Sequence, residues 1–319
     1  MKTIHPVWLP AFVHLSLFCA ALSIQSLAEP PAANISTELL RDPQFQAGFE
    51  LLRPEPGRKV DGGKVRGKTA DEPVWQLAQW SSRYPFDQAT PVAPGVAGGF
   101  RLSNSARSVS FGGDDGILTL AVNAAAEYGD RPRAKSEPWV HLLVEQPIAT
   151  TPRLVDLSEL RLHLEARKVK AKLASDVGYD PAIHAAQFQL FLSIQNLEKG
   201  SPGFGNYLWF GIPIYDNRHR FHPTYAAPDF GGTGKFIYTA ATKHFTTGST
   251  HGDNWVTFDA DLLPLIREGL TTARARGFLK DSSNEGAFRV AALNMGWEVP
   301  GTFDVELQVR HLTLNATRR

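Results

Sequence analysis

Cysteine is nearly missing from this chain: Cys19 is the only one among 319 residues. A single cysteine excludes an internal disulfide framework and a multi-cysteine metal knuckle. Cys19 also lies inside the apolar run from Val7 to Ile24, which follows Lys2 and His5 and precedes Ser26-Leu27-Ala28. That order is expected of a secretory signal (residues 1–28) cleaved after Ala28, leaving a mature chain without thiols. Bulky Phe18 before Cys19 speaks against lipid attachment. An uncleaved anchor is the alternative, since the run approaches the ~20 residues of a membrane span, with Pro10 and His14 against it. No later stretch is apolar enough to span a bilayer.

Net charge is small as well, 33 basic against 32 acidic residues. Such balance argues against nucleic acid or an anionic membrane as the main partner. Motifs for several enzyme classes are absent: there is no Gly-x-Ser-x-Gly elbow and no His-Glu-x-x-His. The run Gly231 to Gly234 lacks the strand-to-helix setting of a phosphate loop. The expected setting is secreted or periplasmic, with no membrane contact after cleavage.

What the chain does have is alternation. Leu160, Leu162, Leu164 and Ala166 alternate with Arg161, His163, Glu165 and Arg167. Phe188, Leu190, Leu192 and Ile194 alternate with Gln187, Gln189, Phe191, Ser193 and Gln195, and Leu208, Phe210, Ile212 and Ile214 with Tyr207, Trp209, Gly211, Pro213 and Tyr215. Period two means strands, and one wet face means antiparallel sheet. Further strands are expected near Trp75–Trp80, Gly116–Asn123, Trp139–Gln146, Lys235–Thr242, Trp255–Asp259, Ala287–Leu293 and Phe303–Leu314. Residues 39–111, dense in glycine, proline and charge, read as long loops with few strands. One helix is expected from about Leu262 to Phe278, preceded by Asp261 and ended by Gly277. The fold class is therefore all-β: an antiparallel β-sandwich of jelly-roll type with one late α-helix, a single domain over residues 29–319.

The polar strand faces hold the candidate site. Tyr207, Trp209 and Tyr215 can stack on sugar rings, or cover a sheet rim. Gln187, Gln189 and Gln195 can donate and accept, which suits vicinal hydroxyls. Arg161, His163, Glu165 and Arg167 offer guanidinium forks for a carboxylate, with cross-strand ion pairing as the ordinary alternative. Trp139, His141 and Glu145 alternate in the same way and extend this wall if their strand is a neighbour. In the loop from Tyr215 to His222, Asp216 with His219 and His222 can ligate a metal, and Asp216 with Asn217 can help hold calcium. No cofactor is assigned, with calcium left open.

From Tyr207 to Tyr215 the chain resembles the substrate-binding strand of jelly-roll polysaccharide lyases of the alginate and glucuronan type, Tyr-Phe-Lys-x-Gly-x-Tyr-x-Gln. Tyr207 and Gly211 match in spacing, Tyr215 comes two residues late, and Trp209 stands for the lysine. Those families also have an Arg-x-Glu strand and a Gln-x-His strand, from which Leu164-Glu-Ala-Arg167 and Ser193-Ile-Gln195 depart. Residues 255–314, with Asn294-Met-Gly-Trp-Glu298, look like galactose-binding-like β-sandwich modules. The lyase resemblance implies β-elimination at a uronate, with Arg161 or Arg167 and Gln189 neutralising the carboxylate and Tyr215 or His141 exchanging protons. Tyr207, Trp209, Arg167, Gln187, Gln195 and Glu165 would then hold the polysaccharide or oligosaccharide. The alternative is a non-catalytic carbohydrate-binding protein. A glycosidase using Glu145 and Glu165 is a third reading, which needs both carboxyls in one groove about 5 to 9.5 Å apart.

Overall fold

The aliphatic sides of the alternating strands face one another and exclude water. Leu160, Leu162 and Leu164 are fully buried in the same core as Phe188, Leu190, Leu192, Leu208 and Phe210. Burying one such side chain contributes about 1.5–3 kcal/mol, so the pattern sets which face of each strand turns inward. The computed structural model describes residues 36–52, 61–129, 131–229 and 232–319. The expected signal and its cleavage site lie outside the described residues.

In chain order the strands are β1 (Ser36–Glu38), β2 (Gly48–Leu52), β3 (Asp61–Arg66), β4 (Trp75–Ala78), β5 (Val92–Pro94) and β6 (Phe100–Ser103). They continue as β7 (Arg107–Phe111), β8 (Leu118–Asn123), β9 (Val140–Pro147), β10 (Leu157–Leu173), β11 (Gln187–Asn196) and β12 (Tyr207–Asp216). The last are β13 (Tyr225–Pro228), β14 (Phe236–Thr239), β15 (Val256–Asp261), β16 (Phe288–Val299) and β17 (Phe303–Arg318). One sheet runs β15-β10-β17-β8-β7-β6-β5, with β1 also on β17; the other runs β13-β14-β12-β11-β16-β9-β4-β2-β3. Pairing is antiparallel except for β12 with β14 and β2 with β4. This is a jelly-roll-like β-sandwich. Across the core, the buried Trp297 indole on β16 donates to the Leu120 carbonyl on β8 at 2.9 Å, tying one sheet to the other.

The expected helix is α2, Leu263–Ala275, in which Leu263, Leu265, Ile266, Leu270 and Ala273 are buried. Asp261 accepts from the Leu263 amide at 3.1 Å, and Gly277 takes the positive φ of 86° that ends the helix. A second short helix, α1 (Ala124–Tyr128), is capped by Asn123.

The structure corrects the sequence reading in three places. Residues 39–111 carry β2 to β7, because short strands completed by partners far along the chain leave little local signature. The stretch 255–314 is no separate module: β15 and β17 belong to one sheet and β16 to the other. Strands β9 and β10 are in different sheets, so the wall expected from Trp139, His141, Arg161 and Glu165 does not form.

Candidate functional site

Register decides which polar residues meet. On the outer face of the sheet holding β12, His141 lies beside Glu298 and Glu298 beside Gln187. The next row is Leu143, Gly296, Gln189 and Pro213, and the one after it Glu145, Asn294, Phe191 and Gly211. Ser193 with Trp209, then Gln195 with Tyr207, complete the face. Gly296 forms the floor, since a Cβ there would lie 2.2 Å from the Leu142 carbonyl oxygen. No other residue fits without moving the backbone.

Aromatic rings line one end. Tyr207 and Trp209 meet edge to face at 5.1 Å, and Phe191 stands 6.0 Å from Trp209 in the same manner. The Trp209 indole donates to Thr233 Oγ1 at 3.2 Å, so the β13–β14 connection folds against this platform. That connection carries Asp229, whose carboxylate accepts from the Thr233 amide at 2.8 Å and hydroxyl at 2.7 Å.

Ionisable groups gather at the other end. Glu298 Oε2 is 3.8 Å from His141 Nε2, and the two side chains are only 24% and 20% exposed. Desolvation, with the charge of Asp229 adding to it, pushes the Glu298 carboxyl up to about 7, against a smaller opposing effect of the Trp139 N–H. Desolvation also drives His141 down to about 4, which leaves it neutral. Trp139 Nε1 donates to His141 Nε2 at 2.9 Å, so the imidazole proton sits on Nδ1. Nδ1 is buried and meets no partner of good geometry; the Trp139 backbone beside it only offsets part of the desolvation. Gln189 Oε1 is buried and unpartnered too. Buried polar atoms are nearly always satisfied, so these two are exceptions on one face of the sheet.

Second contacts hold this end rigid. Arg133 places its guanidinium 5.3 Å over the Trp139 ring. Its N–H groups donate to the carbonyls of Pro300, Ala134, Lys135, Glu137 and Ile183.

The sequence matches no protein-family model and no curated protein. Its fold overlaps that of glycoside hydrolases. The endoglucanase cel12A from Rhodothermus marinus aligns with a TM-score of 0.41 at 11% identity, over 72% of this chain and 97% of that one. A metagenome-derived glycoside hydrolase family 12 endoglucanase gives 0.39 at 14% identity, over 78% and 100%. The family 12 xyloglucanase from Bacillus licheniformis gives 0.40 at 11%, over 74% and 94%. At such scores the overlaps carry no weight for the chemistry, which has to come from the residues of this chain.

Of the residues singled out in the sequence, the structure brings His141, Gln187, Gln189, Gln195, Tyr207 and Trp209 onto one face. Two of the glutamines are engaged: Gln187 Nε2 donates to Asp216 at 2.7 Å and Gln195 Nε2 to the Gly205 carbonyl at 3.0 Å. Tyr215 leaves the set. Phe188 pairs with Tyr215 but Gln189 with Pro213, so a bulge at Ile214 reverses the alternation and turns Tyr215 into the core beside Trp297. Burial pushes its hydroxyl up to about 12, the wrong direction for a base. Arg161, Arg167 and Glu165 lie on the outer face of the opposite sheet. Arg161 and His163 both bond Asp259, Arg310 Nε donates to Glu165 at 2.6 Å, and Arg167 donates to Gln308. Trp255 is stacked between Arg167 and Arg310. This is cross-strand pairing, and it removes both the elimination mechanism built on Tyr215 with an arginine and the pairing of Glu145 with Glu165.

Glu298 and Asp229 are the functional candidates that sequence reasoning passed over. A signal existed for Glu298: Ala292, Asn294, Gly296 and Glu298 alternate with Leu293, Met295, Trp297 and Val299. Asp229 gave none, because it reaches the groove from a loop.

Proposed function

We propose that the groove on the β12 sheet takes a neutral polysaccharide or oligosaccharide and hydrolyses a glycosidic bond, with Glu298 as proton donor. The carrying observation is Glu298 itself, a carboxyl kept protonated near neutrality by burial beside an orphan donor and an orphan acceptor. Environments that separate two carboxyls into a protonated and an ionised member are the general arrangement for acid–base work. Glu298 passes its proton to the leaving glycosidic oxygen as the bond to the anomeric carbon breaks. Asp229, held by Thr233, is the carboxylate that faces the developing positive charge or draws a proton from the entering water, which restores the balance. His141 Nδ1–H and Gln189 Oε1 bind sugar hydroxyls, and Tyr207, Trp209 and Phe191 form the platform that the chain leaves along.

Charge favours hydrolysis over elimination at a uronate. Elimination needs a cation to neutralise the substrate carboxylate as negative charge develops, whereas this end of the groove holds the Glu298 carboxyl and feels the charge of Asp229. The apolar leader supports a setting outside the cytoplasm in this reading.

The test is incubation with a panel of neutral and uronate polymers, following both reducing ends and ultraviolet absorbance from unsaturated ends. New reducing ends that vanish in Glu298→Gln support the proposal. Ultraviolet absorbance from a uronate polymer would overturn it, and retarded migration in a polysaccharide gel without turnover would leave a binding protein.

A further inference from the structure

Beyond the groove, the end of β12 and the turn that follows it gather Asp216, His219 and His222. Asp216 Oδ1 lies 3.6 Å from His219 Nδ1, and Asp216 Oδ2 lies 3.8 Å from His222 Nε2. All three ligand atoms fall within 4.8 Å of one another. Ligands on a tetrahedral zinc ion, with bonds of about 2.0–2.1 Å, sit roughly 3.4 Å apart, so the cluster has to close by at most about 1.4 Å along its longest edge. A cleft of about 10 Å³ lies among these residues, lined also by Ser249 and Thr250. That is about the room one small occupant requires.

The orientation of the ligands is already set. His222 Nδ1–H donates to the Pro223 carbonyl at 2.6 Å, which turns the Nε2 lone pair toward Asp216. Such an outer bond is the usual partner of a ligating imidazole. Asp216 is 1% exposed and is held from behind by Gln187 Nε2 and its own turn's Arg218 amide, at 2.7 and 2.8 Å. Its remaining positions are taken by the Arg218 guanidinium, Nε at 3.0 Å and Nη2 at 2.8 Å. The Arg218 side chain, by contrast, is 28% exposed.

We propose that Asp216, His219 and His222 form a site for a zinc-class divalent ion, for which the Arg218 guanidinium competes at the Asp216 carboxylate. Two imidazoles and one carboxylate suit zinc and not calcium, which wants an all-oxygen shell. The calcium reading of this loop also loses Asn217, whose Oδ1 accepts from the Ala186 amide at 2.7 Å and whose Nδ2 donates to Tyr179. The ion would pin the β12–β13 connection to the end of the sheet.

The experiment is calorimetric titration of the untagged, EDTA-treated chain with zinc chloride, alongside thermal melts with zinc and with calcium. The expected result is one zinc per chain at micromolar affinity or tighter and a raised melting midpoint with zinc alone. His219→Ala and His222→Gln should each weaken binding at least tenfold, Arg218→Gln should tighten it severalfold, and Glu298→Gln should leave it unchanged. Circular dichroism checks that each variant is folded. No heat of binding, an isotherm indifferent to His219 and His222, or weaker binding in Arg218→Gln would overturn the proposal.

Discussion

Trp139 Nε1 donates to His141 Nε2 at 2.9 Å while Glu298 stands 3.8 Å from that same nitrogen. The indole, a donor only, fixes the imidazole tautomer, which leaves the proton on the buried Nδ1. The three side chains come from β9, its approach and β16.

Replacing Glu298 by glutamine keeps its shape and removes its proton. Turnover of a neutral polysaccharide should fall by about 10²–10⁴-fold, the usual worth of a positioned general acid, with affinity in a polysaccharide gel retained. In the wild type, activity should decline as the pH rises past about 7, where Glu298 loses its proton. A Glu298→Gln variant with wild-type turnover would remove this residue from the chemistry.

Stability should carry opposed pH slopes from the same pair. Glu298 ionises near 4.5 when unfolded and near 7 when folded, so its contribution is full below 4.5 and is lost as the pH rises through 7. His141 goes from 6.5 unfolded to about 4 folded, so its contribution is present above 6.5 and is lost as the pH falls through 4. Between these limits the two cancel. In Glu298→Gln, unfolding free energy measured in urea should rise with pH relative to wild type, by up to about 1.4 kcal/mol per pH unit, and in His141→Gln it should fall. Parallel curves for all three proteins would contradict the assigned burial.

Tyr215→Phe discriminates between the mechanisms. With its hydroxyl turned into the core beside Trp297, the change should leave turnover and binding within about twofold, since surface-site effects come only from groups that reach the ligand. Trp209→Ala, by contrast, should weaken binding in a polysaccharide gel by about 1–2 kcal/mol through loss of the stacking face.

Arg107 and Glu127 make an ion pair at 2.5 Å with both side chains essentially unexposed. Glu127 also accepts from Ser82 Oγ at 2.6 Å and the Arg83 amide at 2.7 Å. Arg107→Ala strands a buried carboxylate and should cost about 3–5 kcal/mol in denaturant unfolding. A loss below 1 kcal/mol would mean that water replaces the guanidinium.

Strand identity was legible in the sequence wherever alternation ran long enough, as in β10, β11 and the first part of β12, and α2 was legible from its spacing and from Asp261 and Gly277. The inward and outward faces of these elements follow from the cost of burying charge, which a local pattern records. Residues 39–111 hid five strands beside the expected β4, because pairing partners far along the chain supply what propensity does not.

Which strands become neighbours is not a local property. Arg161 and His141 have equal standing as members of polar faces, yet β10 and β9 joined different sheets, and so only His141 meets Glu298. One extra residue at Ile214 reversed the parity of β12 and moved Tyr215 from groove to core, a change no periodicity could announce. The chain by itself determined that there would be a sandwich with wet polar faces, since hydrophobic burial acts strand by strand. Only the tertiary structure decided which polar residues share a low-dielectric pocket, since desolvation and charge coupling depend on distances that pairing and register alone create.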